Sequence, residues 1–128
     1  MYSITEIGKI TGLPASTLRY YEQVGILPHV DRNDVGRRVY SEEVLEWLEL
    51  VIALKDTGMS IDDIRTYTAM ILEGDDTLNK RRELLVQHKR DVEMSIAKTQ
   101  VYLEKIIRKV AVYDVLMHQK KKQKNPLI

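Results

Sequence analysis

From Asp76 to about Gln119 this sequence contains no glycine and no proline. A continuous helix over these roughly 44 residues would extend about 66 Å, which is too long to fold back on a small domain built from the preceding residues. Such a helix needs a partner. The stretch therefore predicts a mainly α-helical chain that ends in a long helix associated with another one.

Apolar residues recur along this stretch at alternating intervals of three and four, the spacing of a coiled-coil seam. The seam positions are Leu85, Val92, Ile96, Thr99, Leu103, Ile106, Val110, Tyr113 and Met117. Lys89 and Thr99 interrupt the pattern, and Lys89 is the weaker fit. We expect the positions from Leu85 to Tyr113 to form the interface of a homodimer. The alternative is a helix packed across its own domain.

Two short helices are predicted near the start of the chain. Ser3 and Glu6 have the spacing of a capping box that opens the first helix. Its apolar residues then follow at helical intervals: Ile4, Ile7 and Ile10. Gly12 ends the first helix and Gly25 ends the second. Two helices joined by a tight glycine turn form a helix-turn-helix pattern.

The second helix carries more polar and aromatic groups than a core needs, in the run Thr17-Leu18-Arg19-Tyr20-Tyr21-Glu22. Residues 18, 21 and 22 can face inward while 17, 19 and 20 point outward, because close neighbours do not share a helix face. An outward cluster of Thr, Arg and Tyr suits phosphates and base edges. The alternative is a surface salt bridge at Arg19 and a core edge at Tyr20.

A turn-rich segment, residues 31–36, precedes a candidate strand at residues 37–40. Basic residues bunch here, at Arg32, Arg37 and Arg38. A loop with arginines at its tip and exit, directly after a helix-turn-helix, indicates a wing. The alternatives are a solvated turn, or an ion pair of one arginine with Glu42 or Glu43.

Two more helices are expected between the wing and the long helix. Ser41 and Ser60 stand at their N-cap positions, each followed by two acids, and Gly58 and Gly74 end them. These boundaries predict a winged helix-turn-helix DNA-binding domain over residues 1–74 and a coiled-coil dimerisation helix over 75–119. A basic tail over 120–128 is expected to be disordered.

Composition excludes several classes of site. The chain has no cysteine, so disulfides, thiolate metal sites and cysteine redox switches are excluded. His29, His88 and His118 lack ligand spacing, and we expect neither a metal nor a cofactor. No nucleophile–base pair or phosphate-cradling glycine loop stands out, so we do not expect an enzyme. No apolar run approaches the roughly 20 residues of a membrane span, and we expect a cytoplasmic protein without a membrane partner.

These segments resemble the MerR family of bacterial transcription regulators. The resemblance rests on four runs that together cover residues 3–70: Thr17-Leu18-Arg19-Tyr20-Tyr21-Glu22, Gly25-Ile26-Leu27-Pro28, Gly36-Arg37-Arg38-Val39-Tyr40 and Gly58-Met59-Ser60-Ile61-Asp62-Asp63-Ile64. A later run is similar to the branch of NmlR and AdhR regulators: Glu73-Gly74-Asp75, then Arg82, Leu84-Leu85 and His88.

The resemblance implies a homodimer whose long helices pair antiparallel and place two winged heads on a palindromic promoter site. Family members bend and untwist the spacer between promoter elements so that RNA polymerase meets both, which is indirect readout used as a switch. The resemblance also implies the DNA contacts. Ala15, Ser16, Thr17 and Arg19 should face the major groove and Tyr20 a phosphate, while Arg37, Arg38 and Tyr40 hold the flanking backbone and Lys55 adds a further phosphate contact.

Some positions depart from the family's pattern. Pro14 stands where the family often has Ser, so the second helix lacks the usual hydroxyl cap, and Arg37 stands where Tyr is frequent. Ala53 stands about where the NmlR-like branch carries a cysteine, which argues against thiol-based sensing. We expect any small-molecule effector, which the sequence does not identify, to act near the junction of the fourth helix, the long helix and the partner head.

Other function classes fit part of the pattern. A winged-helix architectural protein, such as an excision factor that bends DNA without contacting polymerase, would not need the long seam. A simple repressor would use the same DNA-binding residues without activating. A pure coiled-coil interaction protein leaves the outward Arg19 and Tyr20 and the wing arginines unexplained.

Overall fold

The computed structural model describes residues 1–27 and 30–120. Within those ranges the chain forms five α-helices and three short strands. The helices are α1 (Ile4–Thr11), α2 (Ala15–Gln23), α3 (Glu42–Asp56), α4 (Ile61–Glu73) and α5 (Leu78–His118), with a 3-10 turn at Asp75–Thr77. The strands are β1 (Tyr2–Ser3), β2 (Asp31–Arg32) and β3 (Arg38–Tyr40). The expected mainly α-helical fold, a winged helix-turn-helix followed by a long terminal helix, is confirmed.

The first helix begins and ends at the predicted capping residues. The Glu6 amide donates to Ser3 Oγ at 3.1 Å and the Ser3 amide donates to Glu6 Oε1 at 2.9 Å, which completes the capping box. The bond from the Ser3 amide, followed by that with the Ser3 hydroxyl, lowers the pKa of Glu6. Gly12 ends α1 with a φ of 75°, a left-handed conformation that favours glycine. Pro14 opens α2 without a side-chain cap, as its sequence predicts.

A small sheet joins the start of the chain to the wing, by which we mean β2, β3 and the turn between them (residues 31–40). The strand order is β1-β3-β2, and both strand pairs are antiparallel. Tyr2 pairs with Tyr40, and Arg32 pairs with Arg38. The sequence predicts a strand at residues 37–40 but neither β1 nor β2, because strands of two residues carry no periodicity of their own.

The hydrophobic core is formed by inward faces of the helices together with the turn after α2. Its fully buried side chains include Ile7, Leu18, Tyr21, Ile26, Leu48, Val51 and Ile64. Trp47 is half-buried, with its indole N–H donating to the Ile26 carbonyl at 2.8 Å and its ring stacked on Tyr67. Ile10 was expected beside Ile7, but its side chain is 53% exposed. Steps of three residues drift by about 60° around a helix, which turns Ile10 away from the core.

By internal contacts the chain separates into two compact units, Met1–His88 and the residues from Lys89 onward. We call the first unit the head. The boundary predicted after residue 74 coincides with the end of α4 at Gly74, whereas the contacts of the head extend into α5. Leu85, expected in the seam, is half-buried and packs against the core of the head because this part of α5 lies over it. Pro28, His29 and the predicted tail from residue 121 lie outside the described residues.

Candidate nucleic-acid interface

Helix α2 shows the predicted alternation of inward and outward side chains. Two of its side chains are buried, Leu18 and Tyr21. Five others reach the surface wholly or in part: Ala15, Ser16, Thr17, Arg19 and Tyr20. The helix therefore offers hydroxyl, guanidinium and phenol groups on its outer surface, which are groups that bind phosphates and base edges.

The turn of the wing is held by hydrogen bonds of its own. Asn33 Oδ1 accepts from the amides of Val35 and Arg37, at 3.1 and 3.0 Å. Arg32 Nη1 donates to the Gly36 carbonyl at 2.9 Å, and Gly36 has a φ of 81°. These bonds fix the shape of the turn, and the Arg37 side chain is exposed at its exit.

Four arginines converge on one groove between α2 and the wing. The groove has a volume of about 390 Å³ and is lined by Arg19, Arg32, Arg37 and Arg38 with Ser3, Ile4, Thr5 and Gly36. The sequence predicts DNA contacts for three of these arginines but not for Arg32. The signal that could have found it is that Arg32 stands with Arg37 and Arg38 in one basic, turn-rich segment. A groove lined by this many cations attracts a polyanion such as the DNA backbone.

Arg38 also makes an ion pair with Glu22 on α2. Arg38 Nε donates to Glu22 Oε1 at 2.6 Å, and the two side chains are 24% and 26% exposed. The sequence allowed a pair between a wing arginine and Glu42 or Glu43. Instead Arg38 pairs with Glu22, and Glu42 accepts a hydrogen bond from the Tyr2 hydroxyl. The Arg38–Glu22 pair joins α2 directly to β3.

Tyr40 does not lie at the surface, where the resemblance placed it against the DNA backbone. Its side chain is fully buried, because the alternation of β3 turns it to the side that packs on the core. Burial raises the pKa of the Tyr40 phenol, and the nearby Arg38 opposes that rise in part. Within the described ranges its hydroxyl has no hydrogen-bond partner. We therefore assign Tyr40 to the core that supports the wing.

Lys55 is exposed in the last turn of α3. Its Nζ lies 5.7 Å from the centroid of the Tyr21 ring, a distance that permits a cation–π contact. Tyr21 belongs to α2, so the ammonium group lies beside that helix. A phosphate contact of Lys55 stays a prediction.

Beyond the head, α5 carries an exposed apolar stripe. The predicted seam positions there are exposed or half-buried: Val92, Ile96, Thr99, Leu103, Ile106, Val110 and Tyr113. Contiguous exposed apolar side chains mark an association surface. Across residues 1–27 and 30–120, α5 included, no helix combines the length and apolarity that a membrane crossing requires.

The family is decided by the residues that form the helix-turn-helix, the wing and the two helices after it. The family model described as MerR HTH family regulatory protein matches residues 2–71, more than half of the chain. This chain belongs to the MerR family. The predicted resemblance is confirmed.

Similarity to other MerR proteins extends past the matched residues. An uncharacterised HTH-type transcriptional regulator of Haemophilus influenzae is 36% identical over 113 residues, which cover 88% of this chain and 84% of that protein. The regulator AdhR of Bacillus subtilis is 40% identical over 88 residues, covering 69% of this chain and 63% of AdhR.

A solved structure is similar over nearly the whole chain. The crystal structure of HiNmlR, a MerR family regulator lacking the sensor domain and bound to promoter DNA, has a TM-score of 0.86 at 34% identity. The match covers 91% of this chain and 93% of HiNmlR. The relatives are transcriptional regulators, and the prediction of a MerR-type regulator related to NmlR and AdhR is confirmed.

Proposed function

We propose that this MerR-family chain regulates transcription by binding promoter DNA as a homodimer. The observation that carries the proposal is the groove of four arginines beside the exposed face of α2. Guanidinium groups bind phosphate oxygens through paired N–H donors, and a helix presented beside them can enter the major groove. The promoter DNA bound in the HiNmlR structure supports the same use of this surface.

Within that proposal, α2 enters the major groove and the wing follows the flanking backbone. The base-reading positions on α2 are Ala15, Ser16, Thr17 and Arg19, which are exposed or partly exposed. Tyr20 reaches a phosphate from the same helix. Arg37, Arg32 and Arg38 neutralise phosphates from the wing, and Lys55 adds a contact from the end of α3. Tyr40 acts from the core and touches no DNA.

The dimer forms through α5. Its stripe from Val92 to Tyr113 exposes apolar area to water, and burial of such area is favourable by about 25 cal/mol per Å². Two α5 helices paired antiparallel would cover both stripes and carry one head at each end. A protein with two-fold symmetry suits a palindromic site, because each half-site meets an identical head.

In this proposal the protein regulates transcription by changing the shape of the promoter DNA. The two heads bend and untwist the promoter spacer in the activated state, so that RNA polymerase meets both promoter elements. Bending a site of this size costs on the order of 1–6 kcal/mol, which backbone contacts such as those of the wing arginines can offset. A small-molecule effector would act by changing the relative stability of the bent and unbent complexes.

The alternatives are distinguished by what happens at the promoter. An architectural DNA-bending protein bends its site without contacting RNA polymerase, and a simple repressor lowers transcription without an activated state. Neither alternative changes the assignment of the DNA-contacting residues. The place of action is the cytoplasm under each of these readings, because promoter DNA lies there in bacteria.

The experiment is genome-wide mapping of the sites that the chain occupies, followed by transcription from one mapped promoter with purified polymerase. We expect palindromic sites within promoter spacers and a change in transcript when the protein is added. Binding sites outside promoters, with no change in transcript, would contradict the proposal and favour the architectural role.

A further inference from the structure

Glu22 places a carboxylate at a surface where a DNA-binding protein has no evident use for one. It lies on α2 beside a groove lined by four arginines, and its Oε1 accepts from Arg38 Nε at 2.6 Å. We propose that Glu22 is a positioning residue, an inference that rests on the proposed function. By holding Arg38, it fixes the wing relative to α2, so that the base-reading helix and the backbone-holding wing reach DNA together.

The pair connects elements that contact DNA by different means. Glu22 is in the next-to-last position of α2, and Arg38 begins β3, the central strand of the sheet. Across the sheet, Arg38 pairs with Arg32, whose guanidinium closes the turn of the wing onto the Gly36 carbonyl. A displacement of Arg38 is therefore passed to the turn that carries Arg37.

The surroundings make the ion pair stronger than an exposed one. Both side chains are about three-quarters buried, so water screens their attraction less than it would at an open surface. The Tyr40 phenol is buried nearby, close enough for the charges of Arg38 and Glu22 to influence its pKa. The bond uses the Nε–H of Arg38, while the same residue lines the groove. One guanidinium thus serves both the internal link and the DNA-facing surface.

Electrostatics alone predicts the opposite effect for the same residue. A carboxylate beside the groove repels phosphates, so removing it should strengthen binding to any DNA. The positioning role predicts weaker specific binding, because Arg38 and the wing lose their fixed place beside α2. Removal of the Glu22 carboxylate should therefore raise affinity for promoter DNA if repulsion dominates and lower it if Glu22 positions Arg38.

The first test uses the full chain, a mapped promoter duplex and an unrelated duplex of equal length. Glu22→Ala should lower affinity for the promoter about tenfold, the size expected when a hydrogen bond to a charged group is removed. Affinity for the unrelated duplex should stay the same or rise. Glu22→Gln keeps an oxygen that accepts from Arg38 Nε and should retain most of the specific affinity. Glu49→Ala, which removes an exposed acid from α3, is the charge-matched control and should not weaken specific binding.

The second test needs no DNA and separates this inference from the proposed function. The chain has no cysteine, so spin labels react only with the cysteines introduced by Val35→Cys in the wing turn and Gln23→Cys on α2. The distance distribution between them should broaden in Glu22→Ala and stay narrow in Glu49→Ala. An unchanged distribution, or promoter affinity that rises in Glu22→Ala, would overturn the positioning role. If the distribution broadens in Glu22→Ala but the wild-type chain shows no preference for promoter DNA, the proposed function is contradicted while the positioning of the wing by Glu22 is supported.

Discussion

His88 on α5 lies 2.8 Å from Thr57 at the end of α3, measured from the ring Nε2 to the hydroxyl Oγ1. The Thr57 hydroxyl donates its hydrogen to the Ala53 carbonyl at 2.6 Å. We therefore assign the donor role in the contact with His88 to the ring Nε2–H. Two hydrogen bonds in series thus connect His88, where the part of α5 that belongs to the head ends, to the backbone of α3.

Replacing His88 with alanine should lower the free energy of unfolding by about 1 kcal/mol, because an exposed hydrogen bond of this kind contributes about that much. Denaturant unfolding followed by circular dichroism measures the change. The matched control is His118→Ala, an exposed histidine in the last turn of α5, which should change stability by less than about 0.5 kcal/mol. Equal stability of the His88 and His118 variants would show that the hydrogen bond between His88 and Thr57 does not stabilise the head.

Local sequence was sufficient to predict the helices of the head. Ser41 and Ser60 cap α3 and α4 through their hydroxyls, as expected from their positions before pairs of acids. Gly12 and Gly74 stand at the ends of their helices with positive φ. These features depend on residues within one turn of each other, so a single sequence contains the information that they need.

The contacts inside the site could not be predicted, because they join residues that are distant in sequence. Glu22 and Arg38 meet only after β3 has docked beside α2, and the sequence offered Glu42 and Glu43 as nearer partners for a wing arginine. Tyr40 stands two residues after Arg38, and only the packing of β3 on the core shows that the Tyr40 side chain turns inward. The groove position of Arg32 likewise depends on strand pairing.

The burial of Tyr40 can be tested with the Tyr40→Phe variant. The variant loses a buried hydroxyl that has no partner in the described structure, so its unfolding free energy should be unchanged or higher. Its affinity for promoter DNA should equal that of the wild type in a mobility-shift assay. Tyr20→Phe, which removes an exposed hydroxyl from α2, should weaken binding if Tyr20 holds a phosphate. Loss of affinity in Tyr40→Phe would return Tyr40 to the DNA interface.

The capping box predicts a specific dependence of stability on pH. Hydrogen bonds with Ser3 lower the pKa of Glu6 in the folded chain. Its contribution to stability is therefore full above the pKa of the unfolded carboxyl and is lost as the pH falls through the lower folded pKa. In Glu6→Gln the side chain can still accept a hydrogen bond but does not titrate. As the pH falls from about 7 to about 3, wild-type stability should decline more steeply than that of the variant. Parallel curves from denaturant unfolding would refute the prediction.

Mutation of a residue that contacts bases should affect DNA binding differently from mutation of a residue that contacts the DNA backbone. Arg19→Ala should cost roughly 1–3 kcal/mol on the promoter and little on unrelated DNA, because the residue is assigned to base edges. Arg37→Ala should weaken binding on all sequences and reduce the salt slope by about 0.9. Fluorescence anisotropy over a series of salt concentrations measures both effects. Arg82→Ala on α5, which does not line the groove, serves as the control for charge. A salt slope unaffected by Arg37→Ala would remove that residue from the backbone contacts.

The seam of α5 can be tested by placing charges on it. Leu103→Glu combined with Ile106→Glu should give monomers in light scattering, because two such helices cannot bury the charges against each other. The control combines Met94→Glu with Val101→Glu, which are exposed apolar residues about half a turn around the helix from Leu103. The control should remain dimeric. Dimers that persist in the seam variant would contradict the proposed interface.

The central claim is that two chains act together on one promoter site. Native mass spectrometry of the wild-type chain mixed with a mapped palindromic duplex measures this stoichiometry directly. We predict a complex of two chains per duplex, with no stable complex of one chain at the same concentration. A complex of one chain per duplex, or two independently bound chains with no preference for the palindrome, would contradict the account.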